Sequence, residues 1–291
     1  MAAPTHPLAR GPDHLMTKRA PDERPVGGRA EAAQAPPGGV VTLLTDFGRQ
    51  DPFVGVMQGV LLAVAPRARL IDLTHEVPPQ AVEVGAFWLQ RCSRYFAAGT
   101  VHLAVVDPGV GTARRALALA AQGHFFVGPD NGLFTDVLPA ADAVYAIDAD
   151  AMRRRVLAEL PGADPSSTTF HGRDVFAPAA ALLASGAGLD AVGAPLAGPA
   201  PTLLPDPGEP RVVIVDRFGN LITNVECPAD GAPPQISIRG RRLRVVRTYG
   251  EAAHGECVAL RGSFGTLEIA VRDGSAAREL GVGRGEAVAL H

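Results

Sequence analysis

Lysine is all but missing from this chain. Lys18 is the only one among 291 residues, and every other basic side chain is arginine. Codon bias towards Arg and Ala accounts for the imbalance, but its consequence is chemical. No lysine falls in the region expected to fold, so a Walker A phosphate loop and a Schiff-base lysine are both excluded. Cysteine is scarce too. Cys92, Cys227 and Cys257 are odd in number, widely spaced and without a CxxC pair, which argues against a zinc site and fits a reduced, cytoplasmic setting. Positive charge is not in excess: the net charge is −3, so neither nucleic acid nor an anionic membrane is an expected partner. No apolar run reaches the length that spans a bilayer, and no basic start with an apolar core marks a secretory signal. His75, His102, His124 and His254 show no HxH or HxxxH spacing, so no metal is expected. GxSxG is absent and the cysteines lack a helix-start context, which sets covalent acyl chemistry aside.

What is present is a core-forming chain: 47% of the residues are hydrophobic, enough for one large domain or two ordinary ones. Residues 1–39 are rich in Pro, Ala, Gly and charge without apolar periodicity, and are expected to be a disordered extension. From residue 40 to 194, apolar strands alternate with helical patterns. VVTLLTDFG opens the region, Asp51-Pro52 reads as N-cap and first helical position, and Val54, Met57, Leu61 and Val64 make a helical stripe. Strands follow at 68–74, 101–107, 116–121 and 125–128, with helices at 82–96 and 173–186, the last opened by Asp174 as its cap. This predicts an α/β fold with a mostly parallel sheet sandwiched by helices. Residues 195–210 are a Pro-rich linker. From 211 to 291 only short strands remain, separated by Gly-containing turns, which predicts a smaller antiparallel β-barrel domain.

Five segments carry candidate chemistry. VVDPGVGTAR (105–114) runs a strand into Asp107, then a Pro-Gly-Val-Gly turn, with Arg114 seven residues beyond the acid. An acid at the carboxyl end of a buried strand faces the crevice where α/β proteins bind ligands, and the glycines admit close approach. TDFG puts Asp46 at the end of the first strand, a position suited to ribose hydroxyls or to capping the next turn. Asn131 of PDNG reads first as a turn residue. In TFHGRD, His171 lies between Phe170 and Gly172 before a helix, where a neutral imidazole is favoured; Arg173 is expected to pair with a carboxylate. DRFGNLITN brings Asp216, Phe218, Asn220 and Asn224 together, either as a hairpin or as a seat for a planar heterocycle.

Taken in order, TDFG, IDLTHEVPP, VVDPGVGTAR, GPDNG, TFHGRD and DRFGN resemble the S-adenosyl-L-methionine (SAM) hydroxide adenosyltransferase family, relatives of the SAM-dependent fluorinase and chlorinase. The resemblance spans 40 to 291. It implies SAM as substrate without a cofactor, adenosine and L-methionine as products, and a homotrimer with each site between one subunit's N-terminal domain and its neighbour's C-terminal domain. Its water-activating Asp, Arg and His fall on Asp107, Arg114 and His171, with Arg115 adjacent to the arginine. Its ribose-binding acid falls on Asp46, and its methionine and adenine contacts on Asp51, Asp216, Phe218, Asn220 and Ser263. Asn131 and Phe170 complete the candidate substrate-binding set.

Two alternatives stand beside hydrolysis. A halogenase would place a halide where Asp107 sits, and a carboxylate repels an anion strongly at low effective dielectric. By the same resemblance, the halogenases carry Tyr at the Asp107 position, and the fluorinase carries Ser at the Gly172 position. A SAM-binding module without turnover would have lost one of Asp107, Arg114 or His171, and this chain keeps all three.

Overall fold

The first uninterrupted apolar run, VVTLLT, becomes strand β1 (Val40–Thr45), because branched side chains suit a pleated surface covered on both faces. The computed structural model describes residues 39–206, 208–229 and 233–291; the expected disordered extension therefore lies, apart from Gly39, outside the described residues. After β1 come α1 (Phe53–Val64), β2 (Arg69–Thr74), α2 (Val82–Ser93) and β3 (Val101–Val105). β4 (Ala116–Ala121), β5 (His124–Pro129), β6 (Ala141–Ile147), α3 (Ala149–Glu159), α4 (Ala177–Ala184) and β7 (Gly193–Pro195) follow. The strands form one seven-stranded sheet in the order β2-β1-β3-β5-β4-β6-β7. β2, β1, β3 and β5 run parallel, while β4, β6 and β7 join by antiparallel pairing.

Alternate side chains of each strand enter two cores, as the strand period of two requires. On one face Leu43, Leu103 and Val105 pack against Met57 and Leu61 of α1, Met152 of α3 and the alanines of α4. On the other, Leu44, Ala104, Val106 and Leu119 meet Val84, Phe87 and Leu89 of α2. Each such side chain contributes about 1.5–3 kcal/mol when fully buried, so this sandwich is the main source of the rigidity on which the strand ends depend.

Three local expectations are corrected. Helix α1 starts one residue late: Pro52 is its N-cap, and no side chain caps it, so Asp51 is left exposed ahead of the helix. Asp174 caps nothing; it is buried, and the α4 segment begins with a π-helical turn over Gly172–Phe176. Strand β6 and helix α3 were not anticipated. α3 has little apolar content, with only Met152 and Val156 buried, and it is fixed by Asp148, whose carboxylate accepts from Ala151 N at 2.9 Å.

Beyond the linker stand β8 (Val212–Val215), β9 (Leu221–Glu226), β10 (Ile236–Ile238), β11 (Arg241–Arg242), β12 (Arg244–Val245), β13 (Cys257–Arg261), β14 (Thr266–Val271), a short α5 (Ala276–Leu280) and β15 (Ala289–Leu290). They make a five-stranded sheet, β12-β13-β14-β9-β8, and a three-stranded one, β11-β10-β15. All pairs are antiparallel except β12 with β13. The two sheets enclose one core of Val212, Leu221, Ile236, Ile238, Leu267 and Ile269. Among the described residues the ladders do not close into a continuous barrel. The sandwich also differs from expectation on one side. Val213, Ile214 and Ile222 of the smaller domain share the core of α2, so that face of the large sheet is covered by a helix and a sheet together.

Register places the ligand-facing edge. Thr45 of β1 lies beside Val105 of β3, so the chain leaves both strands at one edge, one residue before Asp46 and two before Asp107. The β3–β5 contact that fixes this edge is tight. A Cβ added at Gly128 would stand 2.2 Å from the Ala104 carbonyl oxygen, a backbone atom that cannot yield without moving β3. Gly128→Ala is therefore expected to cost about 1–3 kcal/mol, read from the urea midpoint. Gly162→Ala, where a Cβ meets nothing within 4 Å, should change stability by no more than about 0.5 kcal/mol.

Candidate active site

Asp107 follows β3 directly, and its placement is made from the backbone outward. The Asn131 side-chain amide donates to the Val106 carbonyl at 2.8 Å, while its oxygen accepts from Leu133 N. The turn then reverses the chain: Val110 N donates to the Asp107 carbonyl, and the Thr112 hydroxyl donates to the Gly109 carbonyl at 2.7 Å. Gly111 takes φ +79° with the Thr168 carbonyl close to its missing Cβ, a conformation and a spacing that favour glycine. The reversal returns Arg114 to the acid. Its Nε donates to Asp107 Oδ1 at 2.8 Å and its Nη2 to Oδ2, a two-pronged fork of the kind that holds a carboxylate most firmly. Both side chains are more than nine-tenths buried, 8% and 5% exposed, and the guanidinium lies 5.2 Å from the Phe176 ring centre.

His171 joins from the π-helical segment, a device common at functional sites because the extra residue re-aims a side chain. Its Nδ1 lies 3.0 Å from Arg114 Nη2, and its Nε2 lies 3.3 Å from Nη2 of Arg153 on α3. Burial first, then the Arg114 and Arg153 charges, lower its pKa below the ordinary 6.5; Asp107 and Asp174 oppose this weakly. The ring is thus neutral at neutral pH. Arg115 faces elsewhere, donating to Asp130 at 2.6 Å and to the carbonyls of Pro199 and Ala200. It ties down the linker, and the arginine at Asp107 is Arg114. Asp174 accepts a fork from Arg173 at 2.6 and 2.8 Å, the carboxylate partner expected for that arginine.

Asp107 and His171 line a cavity of about 340 Å3, walled by Phe47, Phe53 and Phe170. The three rings meet edge to face at 5.3–6.0 Å. Aromatic faces beside a buried carboxylate suit an organic cation. Phe47 and Phe53, like Arg153, were missed from the sequence. The signal for Phe47 was its place inside TDFG. Asp46 stands at the same sheet edge, with one oxygen accepting from Gln80 N at 2.8 Å.

Asp51, exposed just ahead of α1, does not line this cavity, and neither do the remaining candidates, which lie on the smaller domain. Asp216 accepts from Phe218 N, Asn220 N and the Asn220 amide at 2.9–3.0 Å. That closed loop presents Phe218 outward, 75% exposed. Ser263 is exposed between β13 and β14. Near Asp216, buried Glu268 accepts from the Tyr249 hydroxyl, and burial raises its pKa.

Comparison with known proteins matches residues 41–193 to the SAM hydroxide adenosyltransferase N-terminal domain and residues 210–289 to its C-terminal domain. The (R)-S-adenosyl-L-methionine hydrolase of Thermus thermophilus is 45% identical over 258 residues, covering 86% of this chain and 98% of its own. A fluorinase of an Actinoplanes species is 27% identical, over 65% of this chain and 68% of its own. A conserved protein of Thermotoga maritima, known by its crystal structure, superposes with a TM-score of 0.75 at 33% identity, covering 86% of this chain and 100% of its own.

The buried Asp107–Arg114 pair has a measurable signature. Arg114→Met leaves a buried carboxylate without its partner and is expected to lower unfolding stability by about 3–5 kcal/mol. Arg114→Met combined with Asp107→Leu should recover most of that loss, and urea unfolding of both variants checks it.

Proposed function

The chain belongs to the SAM hydroxide adenosyltransferase family, and from that premise we infer that it hydrolyses S-adenosyl-L-methionine at C5′ to adenosine and L-methionine. The observation that carries this is the Asp107–Arg114–His171 cluster on an aromatic-walled cavity. SAM is a sulfonium cation, suited to that wall. The water oxygen attacks C5′, the C5′–S bond breaks with its electron pair remaining on sulfur, and methionine departs as a neutral thioether. No general acid and no cofactor enters the step. What is required is a water held in line with the C5′–S bond. Asp107 accepts one of the water's hydrogens, neutral His171 offers its single lone pair to the other in exchange for an arginine contact, and one proton is released per turnover. Arg114 holds both oxygens of Asp107 in its fork and stabilises hydroxide character as it develops.

For the remaining substrate contacts we propose Asp46 at the ribose, Phe170 in the cavity wall, Asn131 as the support of the Asp107 backbone, and Asp51, Asp216, Phe218, Asn220 and Ser263 at adenine and methionine. The last four lie away from the cavity, which supports a homotrimer in which a neighbour's smaller domain completes each site. We further propose domain limits of 40–194 and 211–291, a barrel-like closure of the smaller domain in the assembly, and a cytoplasmic setting suited to the three free cysteines.

Incubation with SAM in buffers containing chloride and bromide is expected to give adenosine and methionine only; a 5′-halo-5′-deoxyadenosine would overturn the hydrolytic reading. Asp107→Ala should lower kcat by roughly 10²–10⁴-fold with little change in KM. Mixed Asp107→Ala and Asn220→Ala subunits should regain activity, and an active monomer by light scattering would refute the shared site. Because His171 must be neutral to accept, activity is present above its lowered pKa and lost as pH falls through it. The acid limb attributable to His171 therefore lies below the ordinary histidine value of 6.5, as a pH–rate profile will show.

A further inference from the structure

His171 has one guanidinium at each ring nitrogen, Arg114 at Nδ1 and Arg153 at Nε2. Guanidinium groups donate and never accept, and a neutral imidazole has a single lone pair. An imidazolium would turn an N–H towards each arginine with no acceptor for either, three cations in a row. Arg114 is already committed to Asp107 by its fork. Arg153 carries no such fork, and among the described residues its other partner is the exposed Asp150, 3.0 Å from its Nη1. α3 is otherwise a polar surface helix with two buried side chains, Met152 and Val156, and Arg153 reaches from it to the ring.

We propose that Arg153 is a positioning residue of the water site, bracketing His171 at the nitrogen Arg114 does not occupy and so keeping the imidazole neutral and fixed in orientation. This rests on the hydrolytic reading above. The charged groups facing the ring are Arg114, Arg153, Asp107 and Asp174. Asp107 is bound to Arg114 and Asp174 to Arg173, so the two acids are largely spent on their own partners. The bracket's charge is thus set by the two arginines. Only one of the two arginines can donate to the neutral ring's single lone pair, so Arg153 acts through its charge. Removing it takes away one of the two cations that disfavour a second proton on the ring, and an imidazolium has no lone pair left to offer water.

The test is nitrogen NMR of imidazole-labelled full-length protein, wild type against Arg153→Gln, with SAM kinetics across pH. In Arg153→Gln the His171 titration is expected to rise by about one pH unit. The acid limb of kcat should rise with it, kcat near pH 6 should fall on the order of tenfold, and KM should hold within about twofold. Arg153→Lys, which restores a cation, should return the titration towards the wild-type position. Where Arg153→Gln does not fold, Arg153→Met reads the same quantity. An unchanged His171 titration in the neutral variant, or a raised KM with unchanged kcat, overturns the assignment. Failure of wild-type protein to release adenosine sinks the hydrolytic reading instead, while the ligand-free NMR still judges Arg153.

Discussion

The site depends on keeping one carboxylate charged where water is largely excluded. The Asp107 side chain is 5% exposed, and leaving a carboxylate so buried without a partner is costly. The Arg114 fork prevents that, and the rest of the local structure exists to deliver it. β3 is held on both sides by parallel neighbours, Asn131 grips the carbonyl before the acid, and the glycine turn brings the arginine back within seven residues. A pair buried to this degree is seldom stabilising compared with an apolar substitute. Its retention at a strand end beside an open cavity is therefore a mark of chemistry, not of folding.

How much of this was legible depends on how local each cause is. The Asp107–Arg114 pair could be read because strand, turn and arginine lie in ten consecutive residues and obey short-range rules. His171 was readable as a candidate from its Gly-containing loop, but its partner only through the family resemblance, since no local pattern links it to a position 57 residues earlier. Arg153 was invisible for a different reason: it sits among three consecutive arginines on a polar helix, which reads as a solvated face. Asp174 was misread because an acid before a helix usually caps it. Here Arg173, one residue away, captures the carboxylate, and the π-helical turn shifts the helix start beyond it. β6 and α3 escaped notice because few of their residues are fully buried, so their apolar patterns are weak. The barrel expectation rested on short strands with Gly-containing turns and on the family resemblance, and pairing is a long-range property that a local strand pattern does not determine.

The division of the chain explains the incomplete look of the cavity. The smaller domain spends Val213, Ile214 and Ile222 on covering the large sheet beside α2, on the face opposite α1, α3 and α4. The aromatic wall borders the latter core, since Phe47 and Phe170 pack against it. A hairpin committed to one face supplies nothing to the cavity associated with the other. Its Asp216-bound loop nevertheless leaves Phe218 solvent-facing, where the proposed homotrimer would bring it to a neighbouring copy.

For the proposed hydrolysis, two independent features would favour water over halide. The first is electrostatic: the Asp107 carboxylate on the cavity wall would repel an anion there. The second is steric. A Cβ at Gly172 would lie 3.0 Å from the Met57 sulfur and 3.1 Å from the Phe170 ring, so a larger side chain there would need both to shift. Phe170 is itself held edge to face by Phe47 and Phe53, which makes that movement a repacking of the cavity wall. Exchanging Asp107 alone would remove the repulsion without supplying a halide donor. Exchanging Gly172 alone would disturb the wall while the repulsion remained. Under the proposed hydrolysis, the charge at Asp107 and the crowding at Gly172 would each have to be relieved for a halide to take the water's place.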